Sequence, residues 1–437
     1  MNQRWISCDG DGNTGTPPDP RVVTRRAALG RVLAGAALAG WAGHSALAQV
    51  ALGGKPDAGR DVLVTLFLRG AADGLSMIIP HGDPDYYRAR PTLAIARKTA
   101  LDLDGFFGLH PALGALAPHF HEGRMATVHA VGSQDRTRSH FEAMATMERG
   151  LPDNRATSSS GWLGRYLTAT PAVSPSPLRA VAWGDLLPDS LRGAIDTTVL
   201  SSLGDFRLDL PSGRAGNLTA ALAGLYAGGE DAVSAAGRET LSVLNSLHRI
   251  DPAHYRPENA ATYPKTDLGV GLRQVACLIK ANVGLEVACL DRGGWDTHVG
   301  QGGATGWLAQ QLTDIGDSLG AFTRDLGAAH LGRVTVVVMT EFGRRVAENS
   351  GLGTDHGRAS ALFVLGGGVN GGRVYGRWPG LAPDKLEGPG DLPVTTDYRT
   401  ILAEIIARRL SPTTPLPAVF PGGAPGTDSF LGIVRAA

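Results

Sequence analysis

Val62-Leu63-Val64-Thr65-Leu66-Phe67-Leu68, running straight into Arg69-Gly70-Ala71-Ala72-Asp73-Gly74, decides how the rest of the chain is read. The apolar run is short and nearly unbroken, without the alternation of a half-exposed strand. It therefore suits a strand covered on both faces, as in a parallel sheet. The pattern recurs at residues 125–131, 178–183, 285–290, 334–340 and 361–365. Helix-length patterns lie between these runs, at 111–120, 141–149, 268–281, 307–326 and 398–410, with two more in 218–247. Such alternation predicts βαβ units and an α/β fold, with a mainly parallel central sheet sandwiched by helices. Ligands of these sheets bind beyond the carboxyl ends of the strands, so the chemistry is sought there.

Composition narrows the function. The chain has 437 residues, 43% hydrophobic and 19% charged, which is enough apolar material for a large core and argues against disorder or a coiled coil. Lys+Arg and Asp+Glu number 41 each, so there is no basic excess to hold a nucleic acid. With 3 cysteines the chain has no disulfide framework, and Cys277 and Cys289 are expected as buried free thiols. Near the start, Thr24-Arg25-Arg26-Ala27-Ala28-Leu29 opens an Ala/Gly/Leu run that ends at Ala46-Leu47-Ala48. This charged, apolar and cleavable order is that of an export signal. The arginine pair resembles a twin-arginine signal, although Ala28 stands where a bulky aromatic is usual. The expected organisation is a signal over 1–48 and one α/β domain over 49–437. The expected partner is the twin-arginine export machinery, and the expected location is periplasmic or secreted.

Polar residues cluster where the apolar runs end. Gly293-Gly294-Trp295-Asp296-Thr297-His298 places an Asp and a His two residues apart on a glycine-rich loop. Carboxylate and imidazole donors together suit Zn²⁺ or another transition metal, while a hydrogen-bonded turn is the plainer alternative. Thr340-Glu341-Phe342-Gly343-Arg344 brings a Glu out of a buried run, which is costly unless the Glu is paired with Arg344 or bound to metal. Arg344 is alternatively a holder of an anionic substrate. Gly353-Thr354-Asp355-His356-Gly357-Arg358 supplies a second acid–His pair. Asp73-Gly74 is either a turn or a close approach to an ion. Ser139 with Glu142 reads as a capping box, or as a nucleophile at a helix start beside Arg136 and Arg138. Asp73, Asp296, His298, Glu341, Asp355 and His356 are accordingly expected to line one pocket around a divalent metal. Ser139 is expected at its edge, and Arg138 and Arg344 are expected to favour an anionic ester.

LFLRGAADGLS (66–76), DPDYYRARPTLAI (83–95), RSHFEAMATMERG (138–150), GGWDTH (293–298), TEFGRR (340–345), GTDHGRA (353–359) and TTDYRTILAEII (395–406) occur in that order. Together they resemble the bacterial domain of unknown function 1501 family, whose exported members are grouped with alkaline phosphatases and sulfatases. The resemblance implies a metal site at the strand ends and a nucleophile at a helix start. It casts Asp73, Asp296, His298 and His356 as metal ligands, and Ser139 as the nucleophile with Thr137 as its rival. Glu341 stands where relatives carry an Asp-His pair. The implied activity is metal-dependent hydrolysis of phosphate or sulfate esters, small or polymeric. The alternative is an exported binding or assembly protein that keeps the fold without the chemistry.

Overall fold

A computed structural model describes residues 60–437 except 172–175, 195–196, 204–214, 230 and 251. The export-signal reading of 1–48 lies outside the described residues. Nine strands make the main sheet: β1 (Val62–Leu68), β2 (Met125–Gly132), β3 (Ala180–Trp183), β4 (Thr197–Leu200), β5 (Val287–Arg292), β6 (Val334–Thr340), β7 (Ser360–Gly366), β8 (Val374–Tyr375) and β9 (Thr396–Asp397). Their order is β8-β2-β7-β6-β1-β5-β3-β4, with β9 also on β2. β1 pairs parallel with both β5 and β6, and β3 parallel with β4 and β5. Strand β7 departs from the expectation for its apolar run. It is antiparallel to β6 and to β2, so the sheet is mixed, though mostly parallel.

Both faces of the sheet are covered, which is why its central strands are buried throughout and mostly apolar. Val62, Val64, Leu66 and Leu68 of β1 join one core with α5 (Asp267–Lys280) and α6 (Trp307–Leu331). Helix α6 presents Leu308, Leu312, Ile315, Leu319 and Phe322 at helical spacing. Leu63 and Phe67 join the other core. There they meet α1 (His140–Glu148), α2 (Trp162–Ala169) and α7 (Tyr398–Ile405). Helices α3 (Ala215–Ala227) and α4 (Ala232–Ile250) account for the 218–247 pattern. Helix α2 and strand β4 had no counterpart in the sequence reading. Cys277 and Cys289 are buried and are not joined in a disulfide. Among the described residues no helix is long and apolar enough to cross a membrane.

The C-terminal segment is fastened by a bridge between Val369 and Val434, by Asn370 and by one buried carboxylate. Glu404 of α7 is fully buried, and its carboxylate accepts from the backbone N–H groups of Leu431 (2.8 Å), Gly432 (3.0 Å) and Val434 (3.2 Å). Glu404→Ala strands these donors, and a loss of about 3 kcal/mol in urea denaturation is expected. Faster proteolysis around 431–434 should accompany it. An unchanged unfolding midpoint would refute the role.

The direction of β7 determines what the rim of the sheet can hold. The register aligns Leu68 of β1 with Thr340 of β6 and with Arg292 of β5, so their carboxyl ends share one edge. Because β7 runs the other way, its amino end reaches that edge, where Ser360 pairs with Val131 near the end of β2. The loop before β7 therefore joins the loops after β1, β2, β5 and β6.

Candidate metal centre

The rim is organised around Glu341, the first residue after β6, which is 1% exposed. Its Oε1 accepts from the backbone N–H groups of Gly70 (2.8 Å) and Ala71 (3.0 Å). Gly70 and Ala71 have φ of +119° and +59°, which turns consecutive amides toward one point, an anion nest. A side chain at position 70 would put its Cβ 2.7 Å from the Asp296 nitrogen, so only glycine lets these two loops approach. Thr340 Oγ1 donates to Oε2 at 2.9 Å. The same Oε1 accepts from His140 Nδ1 at 2.8 Å.

His140 opens α1, and its ring stacks on buried Phe342 with centroids 5.0 Å apart. Its Nε2 lies 3.0 Å from His356 Nε2, and His298 Nε2 lies 3.0 Å from the same atom. Asp296 Oδ1 is 3.0 Å from His356 Nε2, 3.1 Å from His298 Nε2 and 3.5 Å from His140 Nε2. His140, Asp296 and His356 each offer one donor atom within 4.8 Å of the other two. Donors about 2.1 Å from a tetrahedral ion lie about 3.4 Å apart, close to these separations.

The outer nitrogens fix what the inner ones can do. His140 Nδ1 faces the Glu341 carboxylate, His298 Nδ1 faces Asp355 Oδ1 (3.3 Å), and His356 Nδ1 faces the Arg138 carbonyl (2.9 Å). None of these partners can donate, so a neutral ring with its proton on Nδ1 satisfies each of them and turns an Nε2 lone pair inward, whereas without an ion His356 Nε2 can carry a proton and donate to Asp296 Oδ1. Three lone pairs and a carboxylate oxygen then repel one another unless a proton or cation sits among them. The donor set is one that Zn²⁺ and its neighbours accept. Burial works to raise the Asp296 carboxyl. Arg344 (2.6 Å) and His356 outweigh burial and hold it down at about 2. Hydrogen bonding to Glu341 raises His140, while burial lowers His356. Glu341→Gln removes the charge that orients His140. We expect a 10–100-fold weaker zinc affinity in titration against a competing chelator. Unchanged affinity would show that Glu341 does not position the ring.

Five of the six residues expected to line the pocket thus meet directly or through one hydrogen bond at this centre: Asp296, His298 and His356 among the donors, Asp355 behind His298 and Glu341 behind His140. Glu341, expected as a ligand, stands behind His140 instead. Asp73 is elsewhere. It is fully enclosed, with Arg90 donating to both its oxygens at 2.6 and 3.0 Å and with Ser76 and Gln301 at 2.7 Å. Such a carboxylate has no approach left for an ion. Arg344, expected to hold a substrate anion, is 1% exposed and donates to the carbonyls of Gly70, Ala71, Trp295 and Thr354 as well as to Asp296. It clamps the loops together. Arg138 is ion-paired with Asp391, and Arg358 with Glu387. Ser139 is the N-cap of α1 but makes no capping bond, and Glu142 accepts from Thr137 Oγ1 (2.7 Å) instead of closing a capping box. His140 was not singled out in the sequence. A His directly after a helix-capping Ser, in a segment rich in arginine, was the available signal.

A family described as protein of unknown function (DUF1501) matches residues 60–408, which span all of these donors. The chain belongs to the DUF1501 family. No curated protein matches this DUF1501 chain.

Proposed function

We propose that this DUF1501 protein is an exported, metal-dependent hydrolase of phosphate or sulfate esters, built on an alkaline-phosphatase-like arrangement. The carrying observation is the set of outward Nδ1 partners, which aims three imidazole Nε2 atoms at one point beside Asp296 Oδ1. A divalent ion held there would polarise an ester oxygen and lower the pKa of a nearby hydroxyl or water. Glu341 and Asp355 orient the rings, and the Phe342 face packs His140 in place. Ser139, adjacent to His140 and without a capping bond, offers a hydroxyl at the positive end of α1. His298 is the donor best able to yield its place to substrate. Its side chain is 40% exposed and its outer bond to Asp355 is the longest of the three. Export by a twin-arginine route, with a periplasmic or secreted destination, rests on the N-terminal motif.

The donor count favours a second reading. Four protein donors close a tetrahedral ion, as in structural sites, and Arg344 and Arg138 are both committed to internal contacts. An exported binding or assembly protein stabilised by its metal would look the same at this centre. Metal analysis of gently purified protein, with assays on aryl phosphate and aryl sulfate panels, separates the readings. Stoichiometric metal with turnover that disappears on chelation supports the hydrolase. Stoichiometric metal without turnover on either panel supports the binding protein, and absence of metal refutes both.

A further inference from the structure

Eight large hydrophobic side chains are prominently exposed among the described residues, and five of them sit on loops or helix starts at the edge of the sheet that carries the candidate metal centre. Phe141 (84% exposed) directly follows His140, and Val299 (78%) directly follows His298. Leu352 (53%) lies on the turn leading to Asp355 and His356. Its carbonyl accepts from Gln301 N at 2.9 Å, and that of Gly351 from Gly300 N at 2.9 Å, so the Leu352 turn is zipped to the Val299 loop. Trp307 (52%) is anchored by its Nε1 on the carbonyl of Gly294, two residues before Asp296. Leu186 (81%) is on the loop that leaves β3 at the same edge of the sheet. The remaining three, Leu225, Val233 and Val270, are scattered over helices.

Leu352 adds an independent observation. Its φ is +56°, the left-handed region that glycine or asparagine occupies cheaply and leucine does not. The backbone bonds from Gly300 and Gln301 hold this conformation, which presents an apolar side chain to solvent beside a polar centre. The charges around the centre supply the other half of the recognition. Asp296, Glu341 and Asp355 face Arg344 and Arg345, one net negative charge that a dication would turn into one net positive charge.

We infer that the site takes an amphiphilic anion: a phosphate- or sulfate-type head at the metal centre, carried on an alkyl or aryl body that lies against Phe141, Val299 and Leu352. This inference rests on the metal-centre reading above. A sugar or nucleotide ester gains little by lying over this apolar rim, whereas a hydrocarbon body removes the rim from water.

The test uses the full chain loaded with zinc, its zinc content measured first, and titration with methyl-, butyl- and octylphosphonate. Octylphosphonate is expected to bind at least about tenfold more tightly than methylphosphonate. In a Phe141→Ser, Val299→Ser double variant with unchanged zinc content, that preference should collapse to within about threefold. Leu352→Gly, which also relaxes the turn, should reduce it in part. The source of the body is separated by sedimentation with phosphatidic acid vesicles. Vesicle binding lost in the double variant places it in a lipid, and binding of the monomeric phosphonates alone places it in a soluble amphiphile. Zinc uptake with equal affinity for all three phosphonates, or a length preference that survives the double variant, overturns the amphiphile inference alone. Failure to take up zinc overturns both it and the reading beneath it.

Discussion

His356→Ala is expected to lose at least about a hundredfold in zinc affinity, more than any outer-shell substitution around the centre. His356 Nε2 is the hub, 3.0 Å from each of His140 Nε2, His298 Nε2 and Asp296 Oδ1. Removing its ring leaves His140 and His298 without their shared neighbour, with Asp296 Oδ1 at 3.5 and 3.1 Å from their Nε2 atoms. His298→Ala is expected to lose less, because His298 is the most exposed ring and its outer partner is 3.3 Å away. Competition titration of both variants against a chelator, alongside wild type, reads the ranking. Equal stoichiometry and affinity in His356→Ala would show that the imidazoles meet for packing alone. A larger loss in His298→Ala would reverse the assignment of the exchangeable position.

The second large effect is on stability rather than on metal. Asp73→Ala should destabilise the fold by about 3–5 kcal/mol while leaving zinc stoichiometry intact. It strands the fully buried Arg90 guanidinium, which otherwise makes two bonds to the carboxylate and donates to the Arg345 and Val346 carbonyls. Burial works to raise the Asp73 carboxyl, and Arg90, Ser76 and Gln301 outweigh it, so its pKa lies below the ordinary carboxylate value. A depressed folded pKa stabilises above the unfolded value. The contribution is therefore present at neutral pH and is lost only as pH falls below about 4. Urea denaturation at pH 7 and at low pH, with zinc analysis of the folded variant, checks both statements. Loss of zinc with unchanged stability would return Asp73 to the ligand set.

The strands were legible because central strands covered on both faces must be buried throughout and so mostly apolar, and residues 62–68, 125–132 and 334–340 are. That same uniformity hides direction. Nothing in Ala361-Leu362-Phe363-Val364-Leu365 says that β7 runs against its neighbours. A hint lay in the connection: residues 341–359 are rich in glycine and hold no helix, whereas a parallel return usually needs one. The Asp–x–His and Asp–His spacings exposed three of the four inner donors, since a turn brings such residues together locally. Glu341 was noticed for its burial but misplaced by one shell, because only coordinates show that the nest of Gly70 and Ala71 takes its oxygen first. Asp73 misled because an Asp-Gly after a strand looks alike whether it meets an ion or an arginine seventeen positions on. His140 escaped because its neighbour Ser139 offered a complete capping explanation that the structure does not use.

The antiparallel strand β7 also dictates an order of events. Val62 pairs with Val334, and the inner donors come from positions 140, 296, 298 and 356, so no short segment contains more than two of them. An unfolded chain would offer an ion only Asp296 and His298 together, a weak chelate. The ion would consequently arrive late, after the long loops between β1, β5, β6 and β7 have closed. Its full binding free energy would then favour the folded state, about 4 kcal/mol at a free concentration a thousand times Kd. Occupancy at the rim would act as a proofreading signal for assembly of the whole sheet, reporting strand pairings separated by hundreds of residues through a single bound atom.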